Sequence, residues 1–357
     1  MIRGTSRLVA AGAALSLLLG SATGVAAPPR KQRAQRAARY IIEQQKDSGA
    51  IVTFSKIAST ADGIVALAAA RRSPGPIADA IGYLRDKEAK IDSVGEKAKV
   101  IMALVATGRN PRAFEGRNLV EEIEEGQEPD GHYGAISNSW VYDQTLSIQA
   151  LSAAGVEVPT NAIDWLADAQ CEDGGWQFDL PSAPSPKDNE HCFGAGPADY
   201  TTSDTNTTAL AVMAFEAADA NVLLLASPFN FFPTARDRIK KGWVFAPQFA
   251  CAPGEEPPDC SVTDANSTSL VIQAYASESV PIPNGDRARA SLRKLQYKFC
   301  GPNAGAFALT WTDDEGTLTR GTPDLGATMA AVTGVLEKPF PIPVRDISRS
   351  APTAGPC

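Results

Sequence analysis

Asp204-Thr205-Asn206-Thr207-Thr208-Ala209-Leu210 opens an apolar, Ala-rich stretch, Asp264-Ala265-Asn266-Ser267-Thr268-Ser269-Leu270 opens another 60 residues on, and Asp324-Leu325-Gly326-Ala327-Thr328 a third after 60 more. An Asp set just before such a run is a helix start, because its carboxylate accepts the free amide hydrogens of the first turn. The constant step makes these an internal repeat. Thr145-Leu146-Ser147-Ile148-Gln149-Ala150 matches Ser269-Leu270-Val271-Ile272-Gln273-Ala274 two repeats away, and Ala61 to Ala70 and Ala98 to Ala106 have the same character. Six helices of one kind result, and their continuous run of small and apolar residues predicts burial on every side.

Each follows a second, amphipathic segment that closes on a turn. The clearest runs from Ala162 to Gln170 and then turns through Cys171-Glu172-Asp173-Gly174-Gly175-Trp176. The others are Ala38 to Gln45 with Gly49, Ile77 to Asp86, Leu119 to Glu125 with Asp130-Gly131-His132-Tyr133-Gly134, Ile239 to Phe245, and Ala288 to Tyr297 with Gly305. Apolar residues at i, i+3, i+4 and i+7 predict one buried face for each. Two helices per unit and six units make twelve helices. A straight solenoid needs polar caps at both ends, which the sequence lacks, so the expectation is an all-α closed double ring.

Gln170-Cys171-Glu172-Asp173-Gly174-Gly175-Trp176 resembles the Gln-Trp repeat motif of the squalene cyclase and prenyltransferase superfamily, and the six units resemble its single α/α toroid. Transcobalamin-like carriers are similar to the same ring. The resemblance spans about residues 36 to 336, with Gln170, Gly174, Gly175 and Trp176 as the full motif. It implies a ring with a central cavity for a bulky small molecule, isoprenoid- or corrinoid-like.

The 357 residues carry 33 Lys and Arg against 41 Asp and Glu, a net charge of −8 that argues against nucleic acid as a partner. Arg3 and Arg7 followed by the apolar run Leu8 to Leu19 and the small residues Gly24 to Ala27 are the pattern of a secretory signal, so residues 1–26 are expected to be removed and the rest exported. Residues 27–357 then form one domain with a short tail at 337–357. The basic cluster Arg30, Lys31, Arg33, Arg36 and Arg39 is expected to be a solvated arm at the new N-terminus. Six cysteines in an oxidising compartment favour disulfides. The shortest-loop pairing is Cys171 with Cys192, Cys251 with Cys260, and Cys300 with Cys357.

Chemistry is harder to place. The superfamily's triterpene cyclases use an Asp-x-Asp-Asp-Thr-Ala acid, but Asn206 and Thr207 stand where the second and third carboxylates belong, and an amide cannot supply the proton. His132 and His191 lie in loops, so the zinc of prenyltransferases has no evident ligand set; no metal and no cofactor are expected. What remains is a mouth. The long loops Pro181 to Ser203, Ala246 to Thr263 and Gly301 to Thr322 crowd one rim, where Tyr142, Asp143, Asp204, Asn206, Asp264, Asn266 and Asp324 offer hydrogen-bonding groups to a ligand. His132, Tyr133, Trp140 and Tyr142 divide between an aromatic cage and plain core packing. The leading expectation is a non-catalytic small-molecule binder. The alternatives are an isoprenoid-converting enzyme with Asp143 or Asp204 as acid, and a protein-interaction scaffold built on the rim.

Overall fold

The structure is a computed structural model that describes residues 29–357 except 72, 136–139, 180–191, 193–201, 221, 223, 256–259, 299, 315–316, 345–346 and 348–357. The expected signal segment, His191 and Cys357 lie outside the described residues.

Six buried helices begin where capping residues meet apolar runs: α2 (Lys56–Ala69), α4 (Val94–Ala106), α6 (Val141–Ala153), α8 (Thr205–Ala217), α10 (Ala265–Ser277) and α12 (Leu325–Leu336). Ser55, Ser93, Asp204, Asp264 and Asp324 each accept first-turn amide hydrogens at the N-cap. Each of these helices packs on the next, and α12 packs on α2, so the ring is closed. Small residues permit the close approach. A Cβ on Gly334 of α12 would lie 2.5 Å from the Ser269 side chain on α10.

Outside them lie α1 (Arg30–Gln44), α3 (Pro74–Asp86), α5 (Leu119–Glu124), α7 (Thr160–Asp168), α9 (Pro228–Phe231) and α11 (Gly285–Lys294). Two outer elements differ from expectation. The basic cluster is not a solvated arm: it forms most of α1, where Arg33 is buried and the helix packs against α12. In the fifth unit, Ile239 to Phe245 is not the outer helix. That role falls to the single turn α9, which Pro233 keeps from extending, while Lys241 (φ 76°) and Gly242 turn the chain into Trp243. Trp243 is the aromatic that closes the repeat, so the apolar spacing belonged to a turn.

One device ties outer helices to the inner ring. The backbone amide hydrogens of Ile51, Trp176, Trp243 and Phe307 are donated to Thr60, Thr208, Thr268 and Thr328 on the inner helices at 2.9–3.0 Å. The indole hydrogens of Trp176 and Trp243 go back to Leu166 and Phe232 of their own outer segments. Gln170 then reaches forward, donating to Ala226 O and accepting from Ala226 N at the next outer segment. Gln45 and Gln127 donate in the same way to Pro76 O and to Asn161 Oδ1. Gln296 does so across the closure, donating to Arg33 O and accepting from Arg33 Nη1. The glycine beside each Gln is required: Gly174 has φ +88°, and its Cβ would stand 2.8 Å from Ser227 O.

Two lateral neighbours and the outer layer leave each inner helix one face, toward the ring axis. Half-exposed positions in otherwise buried runs mark it: Ala58 and Asp62, Lys99, Tyr142, Asn206, Asn266 and Leu270, Gly326 and Ala330. Three residues further along that face, Val65, Met102, Gln273 and Thr333 are all buried. From below, the segment after α12 crosses the axis, with Lys338 Nζ on Ala69 O of α2, the Phe340 amide on Met213 Sδ of α8, and Ile342 buried. The hollow is therefore a cup about two helical turns deep, or roughly 10 Å, facing the N-terminal ends of the inner helices. The tail is its floor.

Candidate functional site

The acidic residues expected at the rim stand at the N-terminal ends of the inner helices. Asp204 accepts the Asn206 and Thr207 amide hydrogens on Oδ1, both at 2.8 Å, and leaves Oδ2 without a hydrogen-bond partner. Burial pushes its carboxyl up to about 7, against the pull of those same amides. Asp264 accepts from Ser267 N at 2.7 Å and Ser267 Oγ at 2.8 Å, and burial raises it to about 6. Asp324 caps α12 through Ala327 N at 2.6 Å. Asn206 and Asn266 sit one position inside their helices, half-buried, with Oδ1 unpartnered.

Asp143 differs from these caps. It lies within the first turn of α6, whose N-cap Trp140 offers no side-chain acceptor. Its carboxylate stands where a Cβ on Gly95 of α4 would be, so only glycine at 95 admits it. Burial raises Asp143 to about 7, opposed by the Trp140 backbone and by the charge of Lys99, and its Oδ2 has no partner. Tyr142 and Trp140 both stack on Phe178, at 5.2 and 5.7 Å between ring centres.

Two wall residues escaped the sequence reading. Lys99 of α4 bonds Asp62 of α2 at 2.8 Å and lies 5.8 Å from the Tyr142 ring. Burial opposes its charge, yet Asp62 and Tyr142 outweigh that and hold its pKa above the ordinary lysine value. Asp62, Lys99, Tyr142 and Asp143 thus form one polar cluster spanning α2, α4 and α6. The available signal was a charge inside each of the small, apolar stretches Ala61 to Ala70 and Ala98 to Ala106.

The remaining candidates are structural. His132 is buried, 2.7 Å from Asp130 Oδ1 and stacked on Trp165 at 5.5 Å, and Tyr133 is buried beside it, so the cage expected at 132–142 reduces to Trp140, Tyr142 and Phe178. Gln170, Gly174, Gly175 and Trp176 belong to the inter-repeat device. Cys171–Cys192 and Cys251–Cys260 are disulfides as expected, the second pinning the rim loop before α10. Cys300 is exposed, and its expected partner Cys357 lies outside the described residues. Among the described residues, no three His, Cys, Asp or Glu side chains cluster as a metal site, and no helix is long and apolar enough to cross a membrane.

A closed ring of six helix pairs with a polar-mouthed cup defines an α/α toroid. Within that class, residues 76–225 match the model of the squalene-hopene cyclase C-terminal domain. Among solved structures it is similar to the type II terpene cyclase MstE from Scytonema, at 14% identity and TM-score 0.52 over 86% of this chain and 97% of that one. It is similar also to an inactive variant of the α-1,6-mannanase GH76A of Salegentibacter sp. HEL1_6 bound to α-1,6-mannotriose, at 10% identity and TM-score 0.51 over 87% and 98%. A third is the unsaturated glucuronyl hydrolase specific for heparin, at 10% identity and TM-score 0.57 over 86% and 96%. At these identities the likeness is one of fold. No curated protein matches the chain in sequence.

Proposed function

We propose that the protein is exported and binds a bulky small molecule, isoprenoid- or corrinoid-like, in the cup of its inner ring without converting it. The observation that carries this reading is a set of buried oxygens with no hydrogen-bond partner at the N-terminal ends of the inner helices: Asp143 Oδ2, Asp204 Oδ2, Asn206 Oδ1 and Asn266 Oδ1. Buried polar atoms left unpaired cost about 1–3 kcal/mol each, and a ligand with a polar edge recovers that cost. The apolar body of such a ligand meets Leu270, Ala330 and the aromatic shelf of Trp140, Tyr142 and Phe178. Native mass spectrometry of protein purified from its own culture medium tests the reading. A retained non-protein mass that is lost in an Asp143→Asn, Asp204→Asn double variant supports it. A bare chain that takes up nothing from its medium counts against it and leaves the rim as a protein-docking scaffold.

A second reading, an enzyme acting on an isoprenoid or related lipid, is favoured by the carboxyls of Asp143 and Asp204 being held at about 7, where a proton can be kept and given up near neutral pH. The same double variant separates the two: turnover of any polyprenyl substrate by the native protein, abolished in the variant at unchanged melting temperature, establishes the enzyme.

A further inference from the structure

Away from the cup, a small pocket opens at the seam where the last repeat meets the first. Arg30 of α1, Arg289 and Arg293 of α11 and Glu337 just past α12 surround it, and Ile272 and Val335 form its floor. Glu337 is shared by two guanidiniums, Arg30 at 2.8 Å and Arg289 at 2.5 Å. Arg293 lines the same pocket with no ion-pair partner among the described residues. Two guanidiniums therefore share one carboxylate, and a third lines the same pocket. The crowding registers in the groups themselves: Arg293 is pushed below the usual arginine range by burial, then by Arg30 and Arg289, with Asp286 and Glu337 offsetting part of it. Arg33 is lowered by burial and next by Arg293. A guanidinium in no ion pair, beside two others and against apolar side chains, is an arrangement suited to binding a carboxylate or phosphate through paired N–H groups.

We propose that this seam pocket binds a small oxyanion, a carboxylate or phosphate-type group, which links Arg293 to Arg30 and so clamps the first repeat to the last. Binding on both sides of the closure stabilises the ring by mass action. None of its lining residues is among those that line the cup, so it stands or falls independently of the ligand proposed there.

Thermal unfolding of the intact, disulfide-bonded protein in inorganic phosphate, in acetate and in chloride, at matched pH and ionic strength, tests it. The expected result is a saturable rise in melting temperature with phosphate or acetate over chloride, retained in Arg85→Gln, whose side chain pairs with Glu115 on another face. A response to phosphate alone assigns a phosphate group, and one to acetate a carboxylate. Arg293→Gln should abolish the response, and Arg293→Lys should raise the half-saturating concentration about tenfold, because the charge survives and the fork does not. Should Arg293→Gln fail to fold, Arg30→Gln replaces it, since the Arg30 side chain is about half exposed. No rise in the native protein, or a rise that survives both glutamine substitutions, overturns the proposal.

Discussion

Gln296→Ala measures whether the ring is closed. In the native protein Gln296 donates to Arg33 O at 3.0 Å and Gly305 O at 3.1 Å and accepts from Arg33 Nη1 at 3.1 Å, with the side chain buried. Gln170 makes the equivalent set inside the chain, to Gly174 O at 3.0 Å, Ala226 O at 2.7 Å and from Ala226 N at 3.1 Å. Each truncation removes three hydrogen bonds, and at about 1 kcal/mol apiece either costs about 3 kcal/mol. For a chain of this size that is a fall in melting temperature of about 4 °C. The comparison carries the test, because Gln170 links neighbours in sequence while Gln296 and Arg33 are 263 residues apart. Urea unfolding at one pH, with equal slopes for both variants, gives the two free energies directly. If Gln170→Ala costs about 3 kcal/mol while Gln296→Ala stays within about 0.5 kcal/mol of the native protein, the range of an ordinary surface change, then the ends do not meet in solution and the cup has no sixth wall.

Three other outcomes follow from the same geometry. Gly174→Ala places a Cβ 2.8 Å from Ser227 O at φ +88°, so it should cost about 1–3 kcal/mol in urea unfolding, whereas Gly75→Ala, with open space around it, should be near neutral. Asp143, Asp204 and Asp264 have folded pKa values of about 7, 7 and 6, above their unfolded values. Their contribution is therefore full below about pH 4 and is lost as pH rises through 6 to 7. Melting temperatures recorded from pH 5 to 8 should fall less steeply for Asp204→Asn than for the native protein, asparagine being an equally good cap. Ile342→Ala should cost about 2–5 kcal/mol by denaturant titration, because Ile342 is 1% exposed within the segment that floors the cup.

The ring was legible because its cause is periodic. Helix caps at 204, 264 and 324 and small residues on the inner faces recur with the chain, and closure follows from the lack of polar ends. The fifth outer helix was not legible, because the repeat there is built from different atoms. Asp237 holds its own turn through Thr263 and Lys240, and Arg236 makes the forward link, to Pro283 O and Asn284 O, that glutamine makes elsewhere. Helical spacing cannot reveal such a replacement. Nor can it show that Arg33 turns inward: arginine reads as surface until a partner such as Gln296, on the last unit, is brought beside it. For the cup, the rim acids and asparagines were found by position. Asp62 and Lys99 were missed because only the ring puts α2 beside α4 and makes their two charges a pair.

The rim's acids bear on which chemistry the cup can support. Protonating an isolated alkene calls for an acid stronger than a free carboxylic acid, with neighbouring groups that stabilise the carboxylate left behind. Asp204 is moved the other way. Its pKa rises to about 7 because burial penalises the charge more than the two N-cap hydrogen bonds relieve it, and the positions that would carry further carboxylates are Asn206 and Thr207. A carboxyl that holds its proton at pH 6 is a good hydrogen-bond donor and a poor alkene acid. Near neutrality it donates while protonated and accepts when ionised, which lets one wall match a ligand's carbonyl or its hydroxyl by moving a single proton. That versatility suits recognition of a polar edge more than initiation of a cation cascade.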